Sequence, residues 1–378
     1  MKKKVLVVAG EMSGDQHAAR LIREVNTLRH DVEFYGIGGN AMGSEGVRIL
    51  VDAKDMAVIG LWEVLARYRF FRRVLVQMID VLKADRPDAV LLVDYPGFNL
   101  RLAKAAHRLG IPVLYYISPQ VWAWHRSRIP KIANMVDVLM VIFPFEVDVF
   151  KGTGLKTIFV GHPLVESVRK TLLLPESPLP WPAGSKRVAI LPGSRRQEIE
   201  RILPVLLDTA AELYRRDSSC SFMIAAASEE AARLIHAQVA QRSKEEQTHV
   251  AVVAQNMRAV VRQAHAAMVC SGTATVETAL LKCPMIIVYR AAPITYWIGR
   301  KIIRVQWLGM VNLIANRTLC PEFIQGDARP GPMADALEPL LVESPAREAQ
   351  LQGLTAVACA LEGNGGVQSA GAVVAEAL

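Results

Sequence analysis

The chain has 378 residues, of which 52% are hydrophobic and 21% charged; this length and composition favour two domains with a hydrophobic core each. The formal net charge of +8 indicates an anionic partner, such as nucleic acid, an acidic membrane surface or a phosphorylated substrate. The 5 cysteines are widely separated, and no long apolar run of about 18 residues occurs. This pattern argues against a disulfide framework, a zinc site and a membrane-spanning helix, and it favours a cytosolic protein.

Short apolar runs alternate with helical patterns through the first half of the chain. The predicted strands are Val5–Ala9, Glu33–Ile37, Ala89–Val93, Val113–Ile117, Val138–Ile142 and Thr157–Val160. Apolar residues recur at helical spacing after the first strand, and another helix is predicted over Leu100–Leu109. This alternation predicts a doubly wound parallel sheet, in which ligands bind outside the carboxyl ends of the strands.

Polar residues in the loops after these strands are candidates for chemistry. Asp94 follows the apolar run Ala89–Val93, where a carboxylate is costly to bury without a partner or a purpose. It could take a proton from an attacking hydroxyl, or it could cap the following helix and turn. His17 and His162 are predicted at the same edge, and each is either a hydrogen-bonded structural residue or a catalytic one.

The segment Met56–Leu82 has more apolar residues than one core-facing helix side requires. The basic residues interleaved with them are Arg67, Arg69, Arg72 and Arg73. This mixture is typical of an interfacial helix on an anionic membrane, and the alternative is burial against a partner subunit in a homodimer. Ile294–Leu308 has a similar composition and is either a second membrane-facing patch or a packed inter-domain helix.

A proline-rich stretch, Thr171–Ser185, separates two halves with the same pattern. The second half has predicted strands at Val188–Leu191, Ser221–Ala225, His249–Val253, Ala266–Cys270 and Met285–Val288. We therefore expect an N-terminal domain over 1–170, a linker over 171–185 and a second Rossmann-like domain over 186–345. The C-terminal helices, 346–378, are expected to pack either on the first domain or on a partner subunit.

Two turns of the second half suit a diphosphate. One is the Gly193–Arg196 turn at the start of a predicted helix, where Arg195 and Arg196 either bind an anion or pair with Glu198 and Glu200. The other is Ser271–Thr275, whose small residues let the N–H groups at a helix start approach a phosphate closely.

Glu277 lies in the first turn of the helix that follows Ser271–Thr275. An acidic side chain at this place could hydrogen-bond a ribose diol, as acidic residues do in other nucleotide-binding folds. In the alternative interpretation, Ser271 and Thr273 only cap the helix and Glu277 only complements its dipole. The residues alone leave both interpretations open.

Several motifs together resemble those of one family. They are GEMSGD at Gly10–Asp15, VDYPGFN at Val93–Asn99, SPQVWAW at Ser118–Trp124, GHPL at Gly161–Leu164, LPGSR at Leu191–Arg195, SGTATVE at Ser271–Glu277 and NLIANR at Asn312–Arg317. The two Rossmann-like halves resemble the GT-B glycosyltransferases, and the motifs, in this order, resemble the lipid-A-disaccharide synthase family. The resemblance implies two α/β domains of doubly wound parallel sheets that face a cleft, the first for the acceptor and the membrane and the second for the UDP-sugar.

The resemblance also implies a reaction. A 2,3-diacylglucosamine unit would pass from UDP to the 6-hydroxyl of 2,3-diacylglucosamine 1-phosphate, with inversion and without a metal or other cofactor. The protein would be cytoplasmic and associated peripherally with the inner membrane of a bacterium. This assignment would explain both the basic charge and the apolar-basic segment, because both substrates are acylated and phosphorylated.

By the same resemblance, individual residues acquire expected roles. Asp94 would be the general base, and Ser13 and Gly14 would line the acceptor side. The remaining expectations for substrate binding are Arg195 with Ser271, Gly272 and Thr273 at the diphosphate, Glu277 at the ribose, Asn312 in positioning substrate, Met257 near uracil, and Arg196, Gln120 and Arg317 as further contacts.

Two alternative functions remain open at this stage. A UDP-N-acetylglucosamine 2-epimerase would have a similar diphosphate site, but it would not require an apolar Met56–Leu82 or the Val93–Asn99 loop. A non-catalytic peripheral membrane protein would bind nucleotide or phospholipid without turnover. A nucleic-acid binder fits less well, because its basic residues should line one groove with stacking aromatic residues, whereas here they accompany an apolar segment.

Overall fold

The fold is known from a computed structural model that describes residues 2–56, 67–292, 296, 297, 299, 305–363 and 367–378. The chain divides into two compact units. Unit 1 comprises Met1–Pro163 and Glu362–Leu378, and unit 2 comprises Leu164–Leu361. The sequence-based prediction ended the first domain at residue 170 and treated the C-terminal helices, 346–378, as a separate segment.

Unit 1 is built on a 7-stranded sheet with the order β3-β2-β1-β4-β5-β6-β7. Every pairing is parallel. The strands are β1 Lys3–Ala9, β2 Val32–Gly38, β3 Arg48–Asp52, β4 Ala89–Val93, β5 Val113–Tyr116, β6 Val138–Val141 and β7 Lys156–Phe159. The central strands are uninterrupted apolar runs because helices cover both faces of a parallel sheet.

The helices of unit 1 follow its strands. They are α1 Met12–Leu28, α2 Asn40–Ser44, α3 Ala53–Met56, α4 Tyr68–Asp85, α5 Pro96–Arg108, α6 Val121–Trp124, α7 Ile129–Ala133 and α8 Phe145–Val149, with a 3-10 turn at Arg126–Arg128. Helix α4 buries Val74, Met78 and Leu82, which recur every four residues and so lie on one face. These side chains belong to the core between the helices and the sheet.

Unit 2 has a 6-stranded sheet with the order β10-β9-β8-β11-β12-β13. Its pairings are parallel as well. The strands are β8 Lys186–Leu191, β9 Cys220–Ala226, β10 Val250–Ala254, β11 Ala266–Cys270, β12 Met285–Tyr289 and β13 Glu322–Ile324. The predicted doubly wound α/β fold with two parallel sheets is confirmed.

Helices of unit 2 flank this second sheet. They are α9 Pro163–Leu173, α10 Arg196–Arg216, α11 Glu229–Val239, α12 Lys244–Thr248, α13 Met257–Gln263, α14 Thr273–Leu280, α15 Met310–Ala315, α16 Pro330–Leu337 and α17 Pro345–Glu362, with 3-10 turns at Gln325–Asp327 and Glu338–Leu341. The long helix α10 buries one apolar side against the sheet, including Ile199, Ile202 and Leu206.

Each sheet has a point where the strand order reverses. In unit 1 the chain passes from β1 outward to β2 and β3, then returns to β4 on the other side of β1. In unit 2 it passes from β8 to β9 and β10 and returns to β11 beside β8. The loops after β1 and β4, and after β8 and β11, therefore border the crevices where open α/β sheets bind ligands.

The last helix, α18 Ala370–Ala377, completes unit 1 from the far end of the chain. It packs on α1. The N–H of Gly371 donates to the Glu24 carboxylate at 3.1 Å, and Arg29 Nη1 donates to the carbonyl oxygen of Ala375 at 3.2 Å. Gly371 permits this close approach, because a Cβ there would lie 2.4 Å from Cβ of Glu24.

Two edge strands differ from the sequence-based prediction. Strands β3 and β13 were not predicted, and each pairs on one side only at the edge of its sheet. Their residues are mostly half-buried, so neither has the continuous apolar run that identifies a central strand.

The predicted membrane-contact segments are covered only in part. Residues 57–66 of Met56–Leu82, and 294, 295, 298 and 300–304 of Ile294–Leu308, lie outside the described residues. On α4, the side chains of Arg69, Arg72 and Arg73 are exposed, opposite the buried apolar face. None of the helices that the structure describes is both long and apolar enough to cross a bilayer.

Helix α4 offers a matched test of this packing. Met78→Ala should lower the free energy of unfolding by about 2–5 kcal/mol, because it leaves a cavity at a fully buried position. Val76→Ala on the same helix should change it by less than about 0.5 kcal/mol, because Val76 is 50% exposed. Urea denaturation measures both, and equal effects would contradict the assigned orientation of α4.

Candidate functional site

The crevice of unit 1 is shaped by a glycine and a tyrosine. Gly10 follows β1, and a Cβ at this position would lie 2.4 Å from the ring of Tyr95. Glycine is therefore required for the loop after β4 to lie across the end of β1. The Tyr95 hydroxyl donates to the carbonyl oxygen of Met56 at 3.1 Å, which fixes the ring in that place.

Asp94 is a half-buried carboxyl group at this crevice. Burial and, to a smaller extent, the negative charge of Glu11 raise the pKa of Asp94 to about 6, although a hydrogen bond from the Tyr95 N–H opposes the shift. Asp94 and Tyr95 both have a φ of 47°, a left-handed conformation that is uncommon for non-glycine residues. A carboxyl group with a pKa near neutrality is suited to general-base catalysis.

The Gly10–Asp15 motif opens helix α1. Ser13 is exposed in the first turn, and Gly14 is buried, with its hypothetical Cβ 3.6 Å from that of Ala9. Asp15 has a structural role: its carboxylate accepts the N–H groups of Gly39, Ala41 and Met42 at 2.7, 3.0 and 3.1 Å. It thereby satisfies the first N–H groups of α2.

The two histidines lie close to each other. Burial lowers the pKa of His17 to about 4, with a contribution from Arg20. Burial lowers the pKa of His162 to about 3, with a contribution from His17. Both imidazoles are therefore neutral at pH 7, and the ring centroid of His162 lies 5.1 Å from that of Phe143.

The Ser118–Trp124 motif is held by a carboxylate that the sequence did not reveal. Gln120 is exposed just before α6, whereas Trp122 is buried. Its Nε1 donates to Glu146 Oε1 at 3.1 Å, and the N–H of Phe143 donates to Glu146 Oε2 at 3.1 Å. Burial raises the pKa of Glu146 to about 7. Nothing in the local sequence signals this long-range pairing.

Unit 2 has a cavity of about 780 Å³ at the carboxyl ends of its strands. Its walls come from the loops after β8, β9, β10 and β11. The cavity brings together the predicted residues Arg195, Ser271, Gly272, Thr273, Glu277 and Met257. A space of this size is in the range of small-molecule sites.

Glu198 occupies the anion-binding groups of the first turn. Its Oε2 accepts the N–H groups of Ser194 and Arg195 at 3.1 and 3.2 Å, and its Oε1 accepts Arg195 Nη1 at 2.8 Å. Arg195 nevertheless remains largely exposed. Arg196 is exposed and pairs with Glu200 at 2.7 Å, which is the pairing that the sequence left open.

The second turn presents open backbone at a helix start. Ser271 is tied down, because its Oγ donates to the carbonyl oxygen of Leu308 at 2.9 Å. Gly272 precedes α14 with a φ of 151°, and no atom lies within 4 Å of its hypothetical Cβ. Thr273 is exposed. The N–H groups and dipole of α14 thus face the cavity with space for an anion.

Glu277 is paired with an arginine that the sequence analysis did not identify. Arg258 Nε and Nη2 donate to Glu277 Oε1 at 2.8 and 2.6 Å. Arg258 Nη1 also donates to Ser167 Oγ and Thr171 Oγ1 at 2.8 and 3.0 Å. Arg258 therefore fixes one oxygen of the carboxylate on the cavity wall, and only a three-dimensional contact could reveal it.

Asn312 lies in the protein interior, and its expected role in positioning substrate stays a prediction. It is fully buried. Its Nδ2 donates to the carbonyl oxygen of Cys320 and to Glu322 Oε1, both at 2.8 Å, and its Oδ1 accepts the N–H groups of Leu319 and Cys320 at 2.9 and 2.8 Å. We therefore assign Asn312 a role in fixing the segment before β13. Arg317 is exposed, outside the cavity of unit 2.

Within the ranges that the structure describes, no group of three or more His, Cys, Asp and Glu side chains is arranged to hold a metal ion. The positive groups at the unit 2 cavity are instead Arg195, Arg258 and the start of α14.

Comparison with known proteins gives a family. The model of the lipid-A-disaccharide synthetase family matches residues 5–365. The chain belongs to this family. A relative from Geobacter sulfurreducens named lipid-A-disaccharide synthase is 40% identical over 327 residues, which cover 86% of this chain and 84% of the relative. This family member is thus a glycosyltransferase of lipid A biosynthesis, and the resemblance seen in the sequence is confirmed.

Solved structures of related fold are more distant in sequence. The UDP-GlcNAc 2-epimerase from Neisseria meningitidis, solved with UDP-GlcNAc, has a TM-score of 0.59 and 13% identity, covering 95% of this chain and 97% of that one. The glycotransferase of kitacinnamycin has a TM-score of 0.60 and 15% identity, covering 100% and 99%. These likenesses support the GT-B fold and do not distinguish transferase from epimerase.

Asp94→Asn should stabilise the protein. The pKa of Asp94 is about 6 in the folded chain, against an ordinary value of 3.8, so the ionised carboxyl disfavours folding above about pH 6. This penalty shrinks as the pH falls below about 6 and disappears only below about pH 3, where the carboxyl is protonated in both states. The asparagine side chain lacks the charge, and the variant should unfold with a free energy about 2–3 kcal/mol higher at pH 7.

Urea denaturation at pH 7 and pH 4 tests this expectation. The gain should be present in full at pH 7 and much smaller at pH 4. A loss of stability at pH 7 would instead identify Asp94 as an ionised structural cap, because such a cap stabilises the fold through its charge.

Proposed function

We propose that the protein transfers a 2,3-diacylglucosamine unit from UDP-2,3-diacylglucosamine to the 6-hydroxyl of 2,3-diacylglucosamine 1-phosphate. The products are the β-1,6-linked tetraacyl disaccharide 1-phosphate and UDP. The transfer is an inverting single displacement, in which the acceptor oxygen attacks the anomeric carbon as UDP leaves. The family assignment supports a glycosyltransferase of this pathway, and the half-buried Asp94 carboxyl with its raised pKa is the observation that carries the mechanism.

The donor site is assigned to the cavity of unit 2. Arg195 and the start of α14 at Gly272 and Thr273 line one cavity, and both favour the double negative charge of a diphosphate. The leaving UDP gains negative charge as the glycosidic bond breaks, so these groups stabilise the transition state more than the bound donor. Glu277 is assigned to the ribose, and Met257 to the neighbourhood of uracil.

Asp94 is assigned as the general base. The acceptor hydroxyl becomes a stronger nucleophile as its proton passes to a carboxylate within hydrogen-bonding reach. Burial raises the pKa of Asp94, which makes the carboxylate a better proton acceptor while it remains mostly ionised at neutral pH. Ser13, Gly14 and Gln120 belong to the motifs of unit 1 and are assigned to the acceptor side.

The acylated substrates require access from a membrane. Support comes from α4, where Arg69, Arg72 and Arg73 are exposed on the side opposite the core. Tyr68 is also exposed on this helix. Arginines beside an exposed aromatic ring suit a surface of anionic headgroups, and we assign this face of α4 to peripheral contact with the cytoplasmic side of the inner membrane.

A micelle assay tests the reaction itself. Purified protein is mixed with both proposed substrates in detergent, and mass spectrometry follows the products. The disaccharide 1-phosphate should form, and Asp94→Asn should lower kcat by about 10²–10⁴-fold. Arg195→Ala should lower kcat/KM, with Arg196→Ala as a control that removes a neighbouring arginine paired with Glu200. Conversion of UDP-N-acetylglucosamine without disaccharide would favour an epimerase, and binding without turnover a non-catalytic role.

The pH dependence of kcat/KM provides an independent check on the base. Protonated Asp94 cannot accept a proton, and its pKa is about 6. The value of log kcat/KM should therefore fall by about one unit per pH unit below pH 6 and level off above it. The residual activity of Asp94→Asn should lack this acidic limb, and an unchanged limb in the variant would assign the titration to another group.

A further inference from the structure

The turn that carries Asp94 has an unfavourable backbone conformation. Asp94 and Tyr95 are consecutive, neither is glycine, and both have a φ of 47°. Such conformations persist only where surrounding contacts hold them, and they concentrate at functional sites. The contacts that hold this turn are therefore of interest for the reaction.

Two buried side chains hold the carbonyl oxygen of Asp94. Asn99 Nδ2 donates to it at 2.7 Å, and the Tyr115 hydroxyl donates to it at 2.7 Å. Asn99 and Tyr115 are both fully buried. The N–H of Asp94 in turn donates to the carbonyl oxygen of Tyr116 at 2.9 Å, so both main-chain polar groups of Asp94 are fixed.

The two donors come from different elements. Asn99 lies in the first turn of α5, and its Nδ2 also donates to the carbonyl oxygen of Val93 at 3.2 Å. Tyr115 lies on β5, next to β4 in the sheet. A helix start and a neighbouring strand thus converge on one oxygen, which is more than capping of a turn requires.

We propose that Asn99 and Tyr115 are positioning residues of glycosyl transfer. By donating together to the carbonyl oxygen of Asp94, they keep the Asp94–Tyr95 turn left-handed and fix the direction of the Asp94 carboxyl group. They do not touch substrate and act only through Asp94. This inference rests on the proposed function, because it requires Asp94 to be the base.

Tyr115→Phe is the decisive variant. It removes one donor and keeps the ring that fills the core. We expect kcat to fall at least tenfold, with KM for both substrates changed less than twofold, because misdirecting the base impairs proton transfer and leaves binding intact. Tyr35→Phe is the matched control: Tyr35 is a buried tyrosine on β2 of the same sheet, and kcat should be unchanged.

A double-mutant cycle separates positioning from a general structural effect. In the Asp94→Asn background, Tyr115→Phe should cause no further loss of residual rate, because the group that it positions is gone. Asn99→Ala should behave in the same way wherever circular dichroism shows a folded protein, and Tyr115→Phe decides alone if Asn99→Ala does not fold.

The outcomes distinguish this inference from the proposed function. Full activity of Asp94→Asn would overturn both. A severe loss in Asp94→Asn with wild-type kcat in Tyr115→Phe would overturn the positioning role and leave the base intact. A raised KM with unchanged kcat, or an equal loss with and without the Asp94 carboxyl, would also overturn it.

Discussion

The geometry of parallel strand connections governs where chemistry can occur in this protein. A parallel strand is reached through a crossover, and crossovers are right-handed almost without exception. In both sheets the chain begins at a central strand and extends first to one side and then to the other. The connections that follow the two central strands must therefore cross on opposite faces of the sheet. Both sheets begin in this way, at β1 and at β8, and each has a crevice beside its first strand. Four of the seven motifs border these crevices, namely Gly10–Asp15, Val93–Asn99, Leu191–Arg195 and Ser271–Glu277.

The base candidate combines two unfavourable features at one position. Asp94 is a half-buried carboxyl with a raised pKa, and it lies in a backbone conformation that disfavours side chains. Proteins tolerate such features where the surrounding structure fixes them and where the reaction benefits. Here the groups that hold the Asp94 backbone belong to α5 and β5. The surroundings of the base therefore depend on residues that do not themselves react.

The sequence predicted the features that depend on local pattern. Central strands such as Ala89–Val93 and Ala266–Cys270 are continuous apolar runs, and a helix start after small residues is recognisable in Ser271–Thr275. The edge strands β3 and β13 were not predicted, because their mostly half-buried residues do not form a continuous apolar run. Arg258 and Glu146 were not identified because their roles depend on partners brought close only by folding. The internal hydrogen bonds of Asn312 were not predicted for a related reason, since a buried amide with four such bonds cannot be recognised from its neighbours in sequence.

The packing of α18 on α1 has a consequence for biosynthesis. The N-terminal unit contains the last helix of the chain, which is bonded to Glu24 and Arg29. During translation this unit remains incomplete until Ala370–Ala377 has left the ribosome, whereas all residues of the other unit precede this helix in the chain. Domains generally fold as units while the chain grows, so here the unit that starts first is finished last. Loss of Ala370–Ala377 would uncover the surface of α1 on which α18 packs.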